Sequence, residues 1–396
     1  MLKEDISLAE AGAFIDELRE KFYFNRETEL IDVSDSPGRE IAEDIVSGSK
    51  SPVFDTATMD GFAVISDDKY PLKIVDAVYA GDDNLSGIKK GEAVKIATGA
   101  YLPKGADAVL RVEDSEVKGG MLYGVPLKKG KYVNFAGTDY KEGEKVICKN
   151  RRIRPSEIAM MSSVGVSKIR VYKKFSVAVF SNGNEVYDKK LNDTNAPMIS
   201  AFIKEMCHDP VFIGNVPDDL NEIKQKIREA LDYDIIITSG GVSVGERDYI
   251  TPAISGMGKL LLRRVLIRPG KPLAVGIINN KLIFALPGKP TGAFTAAELL
   301  LRRFFMGKTK SPRPEIKCKI SNDVVLFKKG FDYIIFVEIK DGRAYPVGFT
   351  GSLVDLKSPL YNASVLSSSP RTLLADGYII AREDLHGGEE VNVNLY

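Results

Sequence analysis

The chain has 396 residues, a length that suggests about two to four domains, and its 55 basic against 54 acidic side chains leave a formal net charge of +1. That balance argues against a global field that would recruit nucleic acid or a membrane surface. Three cysteines without a C-x-x-C pair argue against a disulfide framework or a thiolate zinc site, and two histidines leave little for a histidine-rich metal centre, so any metal should be hard and oxygen-ligated.

In chain order, MLKEDISLAEAG has neither the basic nor the apolar stretch of a leader, and no apolar run approaches the roughly 20 residues of a membrane span. A soluble, cytoplasmic protein is the expectation. Ser7 and Glu10 have capping-box spacing, and Leu8, Phe14, Ile15, Leu18 and Phe22 recur on one face, which predicts a helix from Ser7 to Phe22. From about residue 46 to 135, short alternating segments such as AVKIA and ADAVLRV between Gly, Pro and Asp turns predict a β-rich module inserted in the chain. Residues 136–172, which contain a helical pattern from Pro155 to Val164, should return to pack on the first helix, making 1–45 and 136–172 one discontinuous helical domain.

From 173 to 311 the texture becomes α/β. Val177–Phe180, Ile235–Thr238 and Leu282–Leu286 are apolar runs suited to strands buried on both faces. Between them, Asp218 can cap a helix whose apolar face is Leu220, Ile223, Ile227 and Leu231, and Pro290 or Thr291 can open another. Strands alternating with helices predict a doubly wound sheet. Beyond the Pro-rich segment Ser311–Pro314, the stretches FDYIIFVEI, GYIIA and VNVNLY predict a small β domain over 312–396.

Candidate chemistry gathers after the α/β strands, where open sheets place their ligands. Thr238 leads directly into Ser239, Gly240, Gly241 and Ser243, and then Asp248. The paired glycines allow backbone N–H groups to approach an anion, or they serve a plain strand-to-helix turn. Phe180 leads to Glu185, and Leu286 to Pro287, Lys289 and Pro290. Glu185 and Asp248 suit a magnesium ion, which commonly takes one or two carboxylates with phosphate oxygens and water; each also fits a cap or a surface charge. Arg268 and Lys271 sit in a stiff Pro/Gly loop that favours a fixed oxyanion contact. In the β module, Asp60 and Thr98 lie in turn-like segments that pattern alone leaves undecided.

Taken together the motifs are more specific. PVFDTATMDGFAV resembles the PxFDNSAMDGYA signature of the molybdopterin molybdenumtransferase family, which includes the gephyrin E-domain. ATGAYLPKGADAVLRVED, FAGTDYKEGEKV, TSGGVSVGERDY, IRPGKPLAVG and LPGKP are similar to five further family motifs in the expected order. The resemblance implies a multidomain, elongated molecule whose central domain is molybdopterin-binding-like. It also implies insertion of molybdate, or tungstate, into adenylylated molybdopterin with magnesium-dependent loss of AMP. By the same resemblance, Asp60, Thr98, Glu185 and Asp248 are catalytic, and Glu185, Asp218 and Asp248 hold magnesium. Ser239, Gly240, Gly241, Ser243, Arg268, Lys271, Pro287 and Pro290 contact the cofactor substrate. The active site lies between the subunits of a homodimer, and a molybdopterin adenylyltransferase is a possible partner.

Some positions depart from the family pattern. Asn184 replaces a carboxylate, Arg268 a lysine and Lys289 an asparagine, and DSNxxML becomes Asp193-Thr194-Asn195-Ala196-Pro197-Met198-Ile199. Ser352 and Ser367–Ser369 are alternative matches to the family's serine loop. These changes keep open a non-catalytic molybdopterin-binding scaffold, and the SGG and PGxP motifs alone also fit a molybdopterin adenylyltransferase.

Overall fold

The computed structural model describes residues 2–82, 87–242, 248–308, 312–356 and 361–396. Two compact units result, Thr28–Val171 and the combination of Met1–Glu27 with Tyr172–Tyr396.

In the larger unit, alternation along the apolar strands explains a sheet covered on both faces. Val177, Val179, Ile235, Ile237, Leu282 and Phe284 enter one core, whereas Ala178, Phe180, Ile236, Ile283 and Ala285 enter the other. Each fully buried Ile or Phe contributes roughly 1.5–3 kcal/mol relative to exposure. Ser176–Asn182 pairs in parallel with Asp209–Val216 on one side and Ile235–Ser239 on the other, and Lys281–Leu286 follows in parallel. Chain order reverses at Ser176–Asn182, so the loops after this strand and after Ile235–Ser239 open at a topological switch point. The hairpin of Ala274–Ile278 with Lys281–Leu286 then turns the sheet antiparallel. Lys259–Val265 and the parallel edge strand Lys3–Ile6 complete seven strands. The short Lys3–Ile6 strand has no legible pattern in the sequence.

The first helix, Leu8–Phe22, carries the expected capping box, with Ser7 N–H donating to Glu10 Oε2 at 2.9 Å and Glu10 N–H to Ser7 Oγ at 3.3 Å. Its buried Phe14, Ile15 and Leu18 join Phe175, Phe284 and Phe304 in the α/β core, and Asp16 accepts two bonds from Arg303 at 2.8 and 2.6 Å. The first helix is thus part of the α/β core, where 136–172 was the expected partner. The helix Pro155–Ser163 instead buries Met161 with Val33, Ile41, Ile45, Ile147 and Ile153 inside the smaller unit.

That smaller unit also contains the β-rich module, a six-stranded sheet whose central strands are Glu92–Ile96 and Leu72–Val78, with Gly61–Val64 beside the former. Successive residues Phe62, Ala63 and Val64 alternate between two cores, the period expected of a strand. The carboxy-terminal β domain is a closed barrel. Asp332–Lys340 pairs with both Arg343–Pro346 and Gly377–Ala381, and the remaining pairings run through Glu390–Leu395 and Glu315–Ile320. Ile267–Arg268 joins this barrel beside Asp332 and Tyr333, which carries the Arg268 loop out of the α/β domain.

Candidate active site

A cleft of ≈ 1050 Å³ opens within the larger unit where the parallel strands end. Its floor is the glycine loop after Ile235–Ser239. Gly240 and Gly241 have φ values of +90° and +63°, in the left-handed region that glycine enters without a Cβ penalty. Close approach demands glycine as well, since a Cβ would fall 2.1 Å from Asn182 O at Gly240 and 1.9 Å from the Asn182 amide at Gly241. Asn182, with its amide nitrogen turned to the loop, donates to Gly240 O at 2.7 Å and Ser239 O at 3.3 Å and accepts from Gly241 N–H at 3.2 Å. Asn182 is thus the clamp on this loop, a role that sequence reasoning missed.

Ser239 holds loops together behind the cleft. It is 1 % exposed; its hydroxyl donates to Pro287 O at 3.0 Å and accepts from Asn195 Nδ2 at 2.7 Å. Asn195 also donates to Gly288 O at 2.7 Å, so one buried amide ties the Ser239 and Pro287–Pro290 loops to the start of the helix Asn195–Glu205. Ser239 was expected to touch ligand, but these bonds engage its hydroxyl. Ser243 lies outside the described residues.

Cations enter the same cleft from two loops. Arg268 and Lys271 line it, and both flank the buried Phe331 ring, at 4.5 and 5.5 Å from its centroid. Lys271 also pairs with Asp5 at 2.8 Å. Lys289, between the cleft-lining Pro287 and Pro290, donates to Ser364 O of the barrel domain at 3.3 Å. Ser367 and Ser368 line the cleft, whereas the Ser352 hydroxyl accepts from Gly348 N–H at 2.9 Å and donates to Val354 O at 3.0 Å. Of the two serine candidates, only the 367–368 pair lines the cleft.

The expected carboxylates separate into three groups. Glu185 and Asp218 both line the cleft. Asp218 does not cap the following helix; Asp219 does so, accepting from Asn221 N–H at 2.8 Å and Glu222 N–H at 3.0 Å. Asp218 instead exchanges bonds with Asn184, through its own N–H at 3.0 Å and its Oδ2 at 3.5 Å. Asp248 is turned elsewhere. Its side chain is 6 % exposed and accepts from Arg263 Nη2 at 3.0 Å, Thr251 N–H at 3.1 Å and the Thr251 hydroxyl. Three expected metal ligands therefore do not converge, and among the described residues no group of three His, Cys, Asp or Glu side chains is arranged to hold a metal.

Asp60 and Thr98 belong to the smaller unit and are brought together there. Asp60 Oδ1 accepts from Thr98 N–H at 2.7 Å and from its hydroxyl at 2.9 Å, and these bonds hold the Asp60 carboxyl below its usual range.

Comparison with known proteins agrees with this architecture. Residues 6–165 match the MoeA N-terminal region (domain I and II), and residues 178–307 match the probable molybdopterin binding domain. A putative molybdopterin biosynthesis protein of Methanocaldococcus jannaschii is 31% identical over 94% of this chain and 93% of its own length. The molybdopterin molybdenumtransferase of Staphylococcus aureus is 33% identical over 66% of this chain and 67% of its own. The crystal structure of the molybdopterin biosynthesis moeA protein from Pyrococcus horikoshii superposes with a TM-score of 0.79 at 25% identity, covering 99% of this chain and 100% of that one. With the motif order, the two matched regions and the strand-end cleft in agreement, the chain belongs to the molybdopterin molybdenumtransferase family of molybdenum cofactor biosynthesis.

Proposed function

We propose that the chain inserts molybdate, or tungstate, into adenylylated molybdopterin with magnesium-dependent release of AMP. The observation that carries this reading is one cleft lined by both signs of charge. Arg268, Lys271 and Lys289 come from two Pro/Gly loops, and Glu185 and Asp218 from the strand-end loops beside Gly240 and Gly241. Fixed cations and backbone N–H groups suit a phosphoanhydride and a tetrahedral oxyanion. Arg268 and Lys271 would hold the oxyanion, with the Ser367 and Ser368 loop beside them, while the glycine loop approaches the phosphate.

Glu185 and Asp218 fit a hard cation, because both line the cleft and neither forms an ion pair among the described residues. Magnesium, when bound, would neutralise charge on the leaving phosphate. In this reading a homodimer supplies Asp60 and Thr98 from a second subunit, and a molybdopterin adenylyltransferase delivers the substrate.

The test incubates native chain with adenylylated molybdopterin, magnesium and molybdate, and follows AMP and metallated cofactor. Both products are expected; neither, with folded protein that binds the pterin, would replace this reading with a second one. That second reading, binding without turnover, is favoured by one observation: Asn184, which stands where the family pattern has a carboxylate, is bonded to the cleft-lining Asp218.

A further inference from the structure

Six side chains of alternating charge run without a break from the cleft to the end of the glycine loop. Lys271 Nζ lies 2.8 Å from Asp5 Oδ1, and Asp5 Oδ2 accepts from Arg264 Nε at 3.0 Å and Nη2 at 2.7 Å. Arg264 Nη2 also donates to Glu4 Oε1 at 2.6 Å, and the same oxygen lies 3.5 Å from Arg263 Nη1. Arg263 Nη2 closes the series on Asp248 Oδ2 at 3.0 Å. One end lines the cleft, and the other, Asp248, precedes Tyr249, whose N–H donates to Gly241 O at 3.1 Å.

The middle of the series depends on unusual backbone. Successive residues of a strand face opposite ways, so Glu4 and Asp5 in a regular ladder would not share one guanidinium. Asp5 and Arg264, however, have φ values of 48° and 63°, a left-handed conformation that is uncommon for residues with a Cβ. The departure falls between the paired positions Glu4↔Arg263 and Ile6↔Val265 of the edge strand. It coincides with both carboxylates reaching Arg264. Strain kept at a defined place next to a cleft is a reason to look for a role.

We propose that Glu4 and Asp5 are positioning residues of the transfer site: Asp5 holds the Lys271 ammonium ready for the incoming oxyanion, and Glu4 carries the pairing through Arg263 to Asp248. The inference rests on the reading of the cleft as an oxyanion site. Lysine is a flexible point charge, and ordering it on ligand arrival costs binding free energy. Asp5 removes that cost beforehand. Its own repulsion of an anion is reduced, because Arg264 Nε and Nη2 both donate to its Oδ2. The Arg264 guanidinium, with Lys271 behind it, also holds the Asp5 carboxyl below its usual range.

The test uses the full chain and tungstate alone as the binding probe, measured by calorimetry, beside AMP release with molybdate. Asp5→Asn should weaken tungstate binding and raise KM for molybdate about five- to tenfold while kcat changes less than about twofold, the size expected for disordering one long side chain. Asp5→Glu should recover most of the loss. Glu4→Gln should leave tungstate binding within about twofold yet lower kcat, because it loosens Arg263 on Asp248. If Asp5→Asn binds tungstate like the wild type, or both variants lower both readouts equally, the positioning role is overturned. Should Asp5→Asn fail to fold, the ammonium signal of Lys271 in the wild type decides by nuclear magnetic resonance. It should be observable in the free protein and shift with tungstate; an unobservable or unmoved signal overturns the proposal. Wild-type protein that neither binds tungstate nor releases AMP would instead remove the reading of the cleft.

Discussion

Asp60 and Thr98 are joined by two hydrogen bonds to a single oxygen, Asp60 Oδ1, from the Thr98 backbone N–H at 2.7 Å and its hydroxyl at 2.9 Å. The pairing follows from the sheet. Gly61 lies opposite Ile96 in antiparallel strands, so the residues just beyond each strand end meet. Gly61 itself admits no side chain, since a Cβ would fall 2.0 Å from Leu110 O.

Thr98→Val should therefore keep the backbone bond, lose the hydroxyl bond and lower AMP release about tenfold, the scale of one charge-assisted hydrogen bond. Thr98→Ser should be close to wild type. Because the Asp60 carboxyl is held below its usual range by Thr98, it stays ionised at lower pH than a free aspartate. Activity that needs Asp60 ionised should thus persist to lower pH than an ordinary aspartate allows, and Thr98→Val should move the acid limb upward. A carbon-13 titration of Asp60 in the two proteins checks the direction without needing turnover.

If a second subunit supplies Asp60 to the cleft, two inactive variants should complement each other. Mixing equal amounts of Asp60→Ala and Glu185→Ala under subunit exchange should restore about a quarter of the wild-type rate, because half the dimers are mixed and each has one intact site. No recovery, with exchange shown by mass-labelled subunits, would place the complete site within one chain.

Glu185→Gln should raise the magnesium concentration for half-maximal AMP release on the order of tenfold, and Asp248→Asn less than about threefold, since only the former removes a ligand-type oxygen from the cleft. Direct competition against a fluorescent metal indicator separates magnesium affinity from turnover. Equal shifts would show that Asp248 leaves Arg263 when the metal enters.

Gly241→Ala should lower stability by about 1–3 kcal/mol, because it adds a left-handed φ penalty to a collision with Asn182. A Cβ there falls 1.9 Å from the Asn182 amide, whereas Gly143, also at positive φ, has open space around it. Gly143→Ala is the control for the conformational part alone. Thermal unfolding of both, with pterin binding of the folded fractions, separates strain from loss of the loop.

Glu157 is the acid-sensitive point of the smaller unit. Its carboxylate is 3 % exposed and accepts from Arg151 Nε at 2.6 Å, Arg154 Nη2 at 3.0 Å and Arg154 N–H at 3.0 Å. The Arg154 contact leads in depressing its pKa from 4.5 to about 2. A depressed folded pKa means that this stabilisation is fully present above about pH 4.5 and is lost as pH falls through about 2. Both arginines are more than half exposed, so solvent screening limits the contribution to about 2 kcal/mol. Glu157→Gln should show that loss at neutral pH and a flatter stability profile in acid.

Much of the site was legible because its chemistry sits in contiguous loops. Gly240–Gly241, Arg268–Lys271 and Pro287–Pro290 each follow an apolar strand, and strand-end loops of a parallel sheet open on one side by geometry. The cleft-lining Glu185 and Asp218 were legible for the same reason. Asp248 was not, because its orientation depends on Arg263, a residue on a strand whose pairing no local pattern reveals. The partners of Ser239 were hidden for a related reason: nothing in the segment beside the two glycines shows that Asn195 and Pro287 O are placed around its hydroxyl.

Sequence by itself determined the order of elements, the doubly wound α/β centre, the carboxy-terminal β domain, the family and most loops that carry charge. Those features are written in local periodicity, turn residues and short motifs, which contacts between neighbours along the chain enforce. Tertiary structure alone decided that the first helix joins the α/β core, that Asp219 rather than Asp218 caps its helix, and that the Ser367 loop lines the cleft. It alone brought Asp5 to Lys271 and Glu4 to Arg264, the latter 260 positions away. Such pairings are set by which sheet edge and which buried surface remain to be covered once the core has formed, and no short window of sequence contains that information.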